Sequence, residues 1–320
     1  MLNHGAAPIP GTAISIDDFC RLPGLPGQTF ILTHAHTDHM RGLTKGCQWR
    51  LGLLHCSLET ASLLRLRGMV SPSVLRVHRC DEPFELIDPL RGPRGPLTGT
   101  FIEANHCPGS VLVLIEGDTL EHPFLHTGDF RYYPELNEHD ALRRVAGSGA
   151  TVFLDATFGA ERRSCLAFPS KEESACQLLD LVSKHPSENI VVHSIGLGDE
   201  SLLAALLKYR GGLLFAEKKR LDVLRVACPG LCNASCTLLD DVRLDHVQGR
   251  VIVALPESIA SLRRRGIDGI HIKCSVLWWV LSHNFHLDAA EPVCDCYGVW
   301  HIPFSMHSSL SELRCFVAMM

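Results

Sequence analysis

The six consecutive residues His34-Ala35-His36-Thr37-Asp38-His39 carry four side chains able to bind a divalent metal. Imidazole nitrogens and carboxylate oxygens suit zinc and similar ions. The segment directly follows a β-rich apolar run at 29–33 (TFILT), so it leaves the end of a strand. In such a turn alternate residues point apart, and one segment can serve two adjacent ions. His34 and His36 would take one ion, Asp38 and His39 the other. Two ions about 3.5–4 Å apart activate a bridging water and hold both oxygens of a displacement at phosphorus. Such a site needs further ligands and a bridging carboxylate. His106 in Asn105-His106-Cys107-Pro108-Gly109-Ser110 and Asp129 in His126-Thr127-Gly128-Asp129-Phe130-Arg131 supply them, again at predicted strand ends. Alone, each reads as an ordinary loop residue; their weight comes from occurring in this order after the histidine-rich segment.

The elements that must position these groups are visible as hydrophobic patterns. Strands are predicted at 14–19, 29–33, 51–56, 99–104, 110–116, 123–127 and 151–155. Ser57 is placed to cap a helix running through Leu63, Leu64 and Leu66. Beyond residue 160 the texture changes. Ser170-Lys171-Glu172-Glu173 is a capping-box pattern, followed by Ala175, Leu178, Leu179 and Val182 at helical spacing and a stop at His185-Pro186. A strand at 190–192, a helix at 199–209 ending at Gly211-Gly212, a strand at 213–215 and a helix at 218–226 come next. This alternation predicts a βαβ arrangement with a parallel sheet, as a second module at roughly 160–290. Pro89–Pro96 reads as a surface loop.

With 320 residues, 46% of them hydrophobic and 20% charged, the chain suits one large domain or two intertwined ones. No uncharged apolar run reaches the roughly 18 residues of a membrane span, and no secretory signal is expected, because MLNHGAAPIPGTAISIDDF has no basic region followed by an apolar one. The net charge of −5 does not advertise a nucleic-acid binder. Positive potential would come from bound metal and local basic clusters. The candidates Arg162-Arg163, Lys218-Lys219-Arg220 and Arg263-Arg264-Arg265 each read as ordinary solvated faces. The 14 cysteines read as reduced thiols, since no signal peptide points to an oxidising compartment. Cys228, Cys232 and Cys236, and likewise Cys294 and Cys296, read as small buried side chains and not as a zinc cluster.

The order HAHTDH, NHCPGS, TGDF resembles the metallo-β-lactamase superfamily over residues 14–160. THAHTDHMRGL, NHCPGSV, LHTGDFR, LDATF and IPFSMHSSLSEL further resemble segments of the β-CASP nucleases, and the DFR ending with the NHCPGS form resembles their SNM1 branch, which contains the Artemis- and Apollo-like DNA repair enzymes. The resemblance implies an α/β fold: an αββα sandwich with an inserted β-CASP α/β domain. The implied boundaries are a first sandwich part at 1–160, the insert at 161–290 and a return to the sandwich at 291–320. The family continues past the point where this chain stops, so a truncated C-terminus is expected, without the position that often separates DNA from RNA enzymes.

The resemblance also implies roles. His34, His36, His106 and Asp129 would bind the first metal, and Asp38, His39 and the shared Asp129 the second. Asp17 in ISIDDF would orient the metal-binding loop or its water, with Asp18 as the adjacent competitor. Asp155 matches the first β-CASP acid, His307 the β-CASP histidine, and Thr157 and Ser305 would hydrogen-bond a substrate phosphate. Met306 stands where the family commonly has an acid or similar polar residue. The expected cofactor is Zn2+, as one or two divalent ions. The expected function is hydrolysis of DNA phosphodiester bonds, as a 5′-to-3′ exonuclease or DNA-end endonuclease in interstrand cross-link or double-strand break repair. DNA is then the substrate, repair or telomere proteins the partners, the nucleus the location, and no membrane is involved. An RNA-processing β-CASP enzyme, a small-molecule hydrolase and a catalytically decayed scaffold are the rival readings.

Overall fold

A computed structural model describes residues 7–20, 28–43, 52–90, 95–118, 120–159, 167–194, 196–211, 214–231, 236–238, 249–254, 262, 264 and 266–281, and 291–320. The chain divides into two units: Met1–Thr157 with Ser311–Met320, and Phe158–Leu310.

The first unit contains two sheets. One has the order β1 (Ala7–Pro8), β2 (Ile14–Ile16), β3 (Gln28–Ile31), β4 (Gly52–Ser57) and β5 (Leu75–His78). Its β1–β2 pair is antiparallel and the rest are parallel. The other runs from β6 (Phe84–Leu86) through β7 (Leu97–Glu103), β8 (Val111–Glu116) and β9 (Phe124–His126) to β10 (Thr151–Phe153). It is antiparallel except for β9–β10. Side chains alternate across a strand, which divides β8 between two cores. Val111, Val113 and Ile115 join Ile14, Ile16, Ile31 and Phe101 between the sheets. Leu112 and Leu114 face outward, onto Leu142 and Val145 of helix Asp140–Val145 and onto Leu313 and Phe316 of the C-terminal helix Leu310–Met319. The outer face of the first sheet, with Phe30, Leu32 and Leu54, is covered by Ala61 and Leu64 of helix α1 (Leu58–Leu66). The result is the expected αββα layering. Ser57 caps α1 as its sequence predicts, accepting from the Thr60 N–H.

The second unit holds a seven-stranded sheet in the order β13 (Cys236–Leu238), β12 (Leu214–Ala216), β14 (Val251–Ala254), β11 (Ile190–His193), β15 (Ile270–Cys274), β17 (Val299–Ile302) and β16 (Val293–Cys294). Every pair is parallel but β16–β17. Helices at Lys171–Ser183, Glu200–Arg210 and Lys218–Ala227 set Leu178, Leu202, Leu206, Leu221 and Leu224 against Val192, Val251 and Ile272. Val191, Phe215 and Ile252 pack with Leu262 and Ile267 in a separate cluster. Burial on both faces is what a parallel sheet requires. The capping box of the first helix is complete: the Glu173 N–H donates to Ser170 Oγ (3.0 Å) and the Ser170 N–H to Glu173 Oε2 (2.7 Å). That helix ends at Ser183, ahead of the expected stop at His185-Pro186.

Three expectations differ from what is observed. Residues 291–310 group with the second unit, because β17 pairs in parallel with β15 (His271↔Val299 to Cys274↔Ile302), so the chain re-enters the first unit at Ser311 and not at 291. Arg220 is not part of a solvated basic face: it is buried and ion-paired to Asp199 and Glu200, while Lys218 and Lys219 are exposed. Cys294 and Cys296 are exposed and Cys228 half-buried, because the first two lie at a short edge strand and its turn and the third caps a helix. Cys20, Cys56, Cys80, Cys107, Cys176, Cys228, Cys274, Cys294, Cys296 and Cys315 are free thiols. Arg162, Arg163, Arg263, Arg265, Cys232 and part of the Pro89–Pro96 loop lie outside the described residues. No described helix is long and apolar enough to cross a membrane.

Neighbouring strands β4 and β5 carry an imidazole pair. His55 Nδ1 and His78 Nε2 are 2.9 Å apart, and the His78 ring stacks on Phe84 at 3.7 Å. Burial, and then the charges of His78 and Arg76, push the His55 pKa down to about 3 from 6.5. Between those values the unfolded chain binds a proton that the folded chain refuses, so stability falls as pH drops below 6.5. Replacing His55 with Asn is expected to flatten the pH dependence of urea unfolding between pH 6 and 4 by up to about 1.4 kcal/mol per pH unit. Equal slopes for the two proteins would refute this.

Candidate metal centre

The histidine-rich segment begins where β3 stops pairing. Its start is fixed from both sheets of the first unit: the Val111 N–H donates to Thr33 O (3.1 Å) and the Leu32 N–H to His55 O (3.0 Å). Asp17, 1% exposed, lies directly beneath. Its Oδ1 accepts from the Thr33 N–H (2.9 Å), and its Oδ2 accepts from Thr33 Oγ1 (2.7 Å) and faces His39 Nδ1 (2.7 Å). Asp17 adopts a left-handed backbone (φ 53°), which Asp tolerates better than most residues. Asp18, the sequence competitor, turns away and accepts from the Cys20 N–H (3.1 Å). From α1's C-terminal end, Arg67 Nη1 donates to Ala35 O (2.6 Å), between the first two histidines. Nothing in the sequence marks Arg67, because its partner is a backbone carbonyl 32 residues away.

Two further loops bring the remaining groups. Ser110 Oγ accepts from the N–H groups of His106 and Cys107 (3.2 and 3.1 Å), and Ser57 Oγ and Thr60 Oγ1 donate to Gly109 O (2.6 and 3.2 Å). Gly109 has φ +80°, and a Cβ there would lie 2.7 Å from Glu59 Cβ and Ser57 Oγ, so this position demands glycine. The Asp129 loop is bound to β10's continuation: the Asp155 N–H donates to Thr127 Oγ1 (2.8 Å) and the Phe130 N–H to Asp155 Oδ2 (3.2 Å). Asp155 Oδ1 also accepts from the N–H and hydroxyl of Thr157 (3.0 and 2.7 Å).

The side chains then converge. One ligand atom from each of His34, His36, His106 and Asp129 lies within 4.8 Å of the others, and the same holds for Asp38, His39 and Asp129. His36 Nδ1 is 3.0 Å from His34 Nε2 and 3.1 Å from His106 Nε2. Four ligands at zinc–nitrogen distances of about 2.0–2.1 Å would stand about 3.3 Å apart around a tetrahedron. The donor set therefore fits a divalent ion in chemistry and spacing. Asp129 offers a different oxygen to each cluster: Oδ2 is 3.7 Å from His34 Nε2 and from His106 Nε2, and Oδ1 is 3.2 Å from His39 Nε2. Asp38 Oδ2 is 3.9 Å from His39 Nε2 and is the exposed member. Burial opposes a charge on His39, yet the Asp17 carboxylate and hydrogen bonds to Asp129 and Asp17 outweigh it and push its pKa up to about 11.

Ser305 and His307 lie in the second unit, just past β17. Ser305 Oγ donates to His307 O (2.7 Å) and accepts from the His307 N–H (3.0 Å), closing a tight turn. Met306 occupies the space over Gly198, where a Cβ would fall 1.7 Å from its Sδ. No sequence signal suggested this contact.

Residues 21–169 match the metallo-beta-lactamase superfamily and residues 255–320 the family described as DNA repair metallo-beta-lactamase. The chain is 32% identical to the DNA cross-link repair protein SNM1 of Arabidopsis thaliana, over 97% of this chain and 62% of that protein. It is 31% identical to the 5′ exonuclease Apollo of Mus musculus, over 97% of this chain and 52% of that one. The chain thus spans about half to three-fifths of these relatives. A crystal structure of an Enterococcus faecalis protein of unknown function shares the fold, with a TM-score of 0.56 at 14% identity, over 91% of this chain and 72% of that one. The chain belongs to the metallo-β-lactamase superfamily, in the SNM1 branch of its β-CASP family.

Proposed function

We propose that this protein is a zinc-dependent nuclease that hydrolyses phosphodiester bonds of DNA, working from a 5′ end in DNA repair. The observation that carries this reading is Asp129, whose two carboxylate oxygens face two separate clusters of metal-capable side chains. His34, His36, His106 and Asp129 would hold one ion, and Asp38, His39 and Asp129 the other. When bound, such a pair supplies Lewis acidity at phosphorus and lowers the pKa of the attacking water. The chain's own contribution is positional. Asp17 fixes His39 through Nδ1, which turns Nε2 toward Asp129 and makes the imidazole a stronger ligand. Thr33, bonded to both Asp17 oxygens, holds the start of the segment in register.

The first unit corresponds in this reading to the sandwich domain and the second to the β-CASP insert. Asp155 is the first β-CASP acid, Thr157 and Ser305 hold a substrate phosphate, and His307 is catalytic. Relatives named for cross-link repair and 5′ exonuclease activity support DNA as substrate; repair or telomere proteins as partners and the nucleus as location belong to the same proposal.

The test is an assay of the zinc-loaded chain on 5′-phosphorylated and 5′-hydroxyl DNA with matched RNA competitors, with and without EDTA. Shortening of the 5′-phosphorylated DNA that EDTA abolishes is expected. Intact DNA in the presence of protein holding two zinc equivalents would overturn the reading. Preferential RNA cleavage would replace it with RNA processing, and failure to bind zinc with a scaffold.

A further inference from the structure

Arg131 stands two residues beyond Asp129 and is 2% exposed. Its N–H donates to Ala104 O (2.9 Å), two residues before His106. Its guanidinium Nε and Nη2 both donate to Glu312 Oε1 (3.1 and 2.9 Å) on the C-terminal helix. One residue therefore ties together the loop carrying Asp129, the loop carrying His106 and a helix more than 180 residues away. All three belong to the first unit.

Apolar packing already docks that helix. Phe316 packs against Phe130 with ring centroids 4.9 Å apart and the rings tilted by 59°, and Leu313 joins the same cluster as Leu136 and Leu142. Such contacts are non-directional and tolerate small rotations. Two donors on a rigid guanidinium meeting one carboxylate oxygen fix direction as well as distance. A buried arginine also needs a counter-charge, and Glu312 supplies one from only 23% side-chain exposure.

We propose that Arg131 and Glu312 form a positioning pair for the metal centre, setting where Asp129 and His106 stand relative to one another. This rests on the reading that Asp129 and His106 bind a divalent cation. Groups that orient ligands from behind typically change metal affinity by about 10–100-fold when removed.

The test compares the full chain with Glu312→Ala and Glu312→Gln, titrated with zinc against a competing chelator and loaded with cobalt for its visible spectrum. Glu312→Ala is expected to bind zinc about 10–100-fold more weakly, with an altered cobalt spectrum, while keeping a cooperative thermal transition. Glu312→Gln should fall between it and wild type, because the amide oxygen still accepts from Arg131. A folded Glu312→Ala protein with wild-type affinity and spectrum would overturn the proposal. If Glu312→Ala does not fold, wild-type affinity and spectrum in Glu312→Gln would overturn it equally. The wild-type arm separates the two claims: no zinc bound there removes the metal reading and this pair's role together, whereas two equivalents with unchanged variants removes only the pair's role.

Discussion

Replacing Asp129 with alanine is expected to weaken both halves of the metal centre at once and to lower the proposed DNA cleavage by about three orders of magnitude or more. Its two oxygens face different imidazoles: Oδ2 looks to His34 and His106 (3.7 Å each) and Oδ1 to His39 (3.2 Å). No other described residue belongs to both the histidine cluster and the Asp38–His39 cluster. Asp38→Ala removes a ligand from one cluster only, and should leave the His34, His36 and His106 set able to hold an ion. Elemental analysis separates the cases. Wild type should carry two zinc equivalents, Asp38→Ala about one, and Asp129→Ala one or fewer with weakened retention. Asp129→Asn keeps the shape but not the charge, and should resemble alanine in activity because a neutral amide is a poor bridging ligand. Two full equivalents and an undiminished rate in Asp129→Ala would refute the shared-carboxylate arrangement.

The second large effect is on stability, in the other unit. Arg220 is buried with 1% of its side chain exposed, and its Nη1 donates to Gly196 O and to Glu200 Oε1 (3.1 Å). Nη2 bonds Asp199. Glu200 Oε2 in turn accepts from the Gly198 N–H (2.6 Å), so the three charges clamp the turn between β11 and the helix Glu200–Arg210. Burial, and then the neighbouring Asp199 charge, raise the Glu200 pKa, while Arg220 and backbone N–H groups pull it down. Arg220→Ala strands two adjacent buried carboxylates. Breaking a buried ion pair this way costs about 3–5 kcal/mol, which corresponds to roughly 6–20 °C in melting temperature for a unit of this size.

The pH dependence follows from the sign of the Glu200 shift. With Arg220 gone, the folded state holds a proton on Glu200 at a pH where the unfolded chain has released it. Stability of the variant should therefore fall as pH rises from the ordinary carboxylate range, and its deficit should be smaller at pH 5 than at pH 7. The triple replacement Asp199→Asn, Glu200→Gln, Arg220→Met should recover much of the loss, since no uncompensated charge remains. Calorimetry at both pH values checks all three statements. A melting temperature for Arg220→Ala within about 2 °C of wild type at pH 7 would show that the cluster does not hold the turn.

Much of this molecule is legible in its sequence because the relevant signals are local. Ser57 and the Ser170–Glu173 box mark helix starts through hydrogen bonds spanning three residues. The VLVLIE run announces a strand buried on both faces. HAHTDH is conspicuous because four metal-capable side chains fall within six residues, and NHCPGS and TGDF because each follows a strand. Choices between neighbours were not legible. Asp17 and Asp18 are chemically equal in the sequence, and only the positive φ of the first turns its carboxylate under Thr33 and His39. Arg67 and Glu312 gave no signal as supports, because each partner lies in a distant loop.

Lys218-Lys219-Arg220 shows the limit most clearly. Helical phase places Arg220 on the same inward face as Leu221, Leu224 and Ala227, yet a triplet of bases reads as a solvated surface. Phase alone cannot say that Asp199 and Glu200 wait on the facing turn. Residue type, spacing and family pattern specify the element types, the αββα layering and the set of residues chemically able to hold metal. Tertiary structure alone decided which carboxylate lies beneath the histidines, that Asp129 faces both clusters, and which arginines are buried. The reason is physical: hydrophobic period and capping act within a few residues, whereas the cost of burying a charge depends on a partner delivered from elsewhere in the chain.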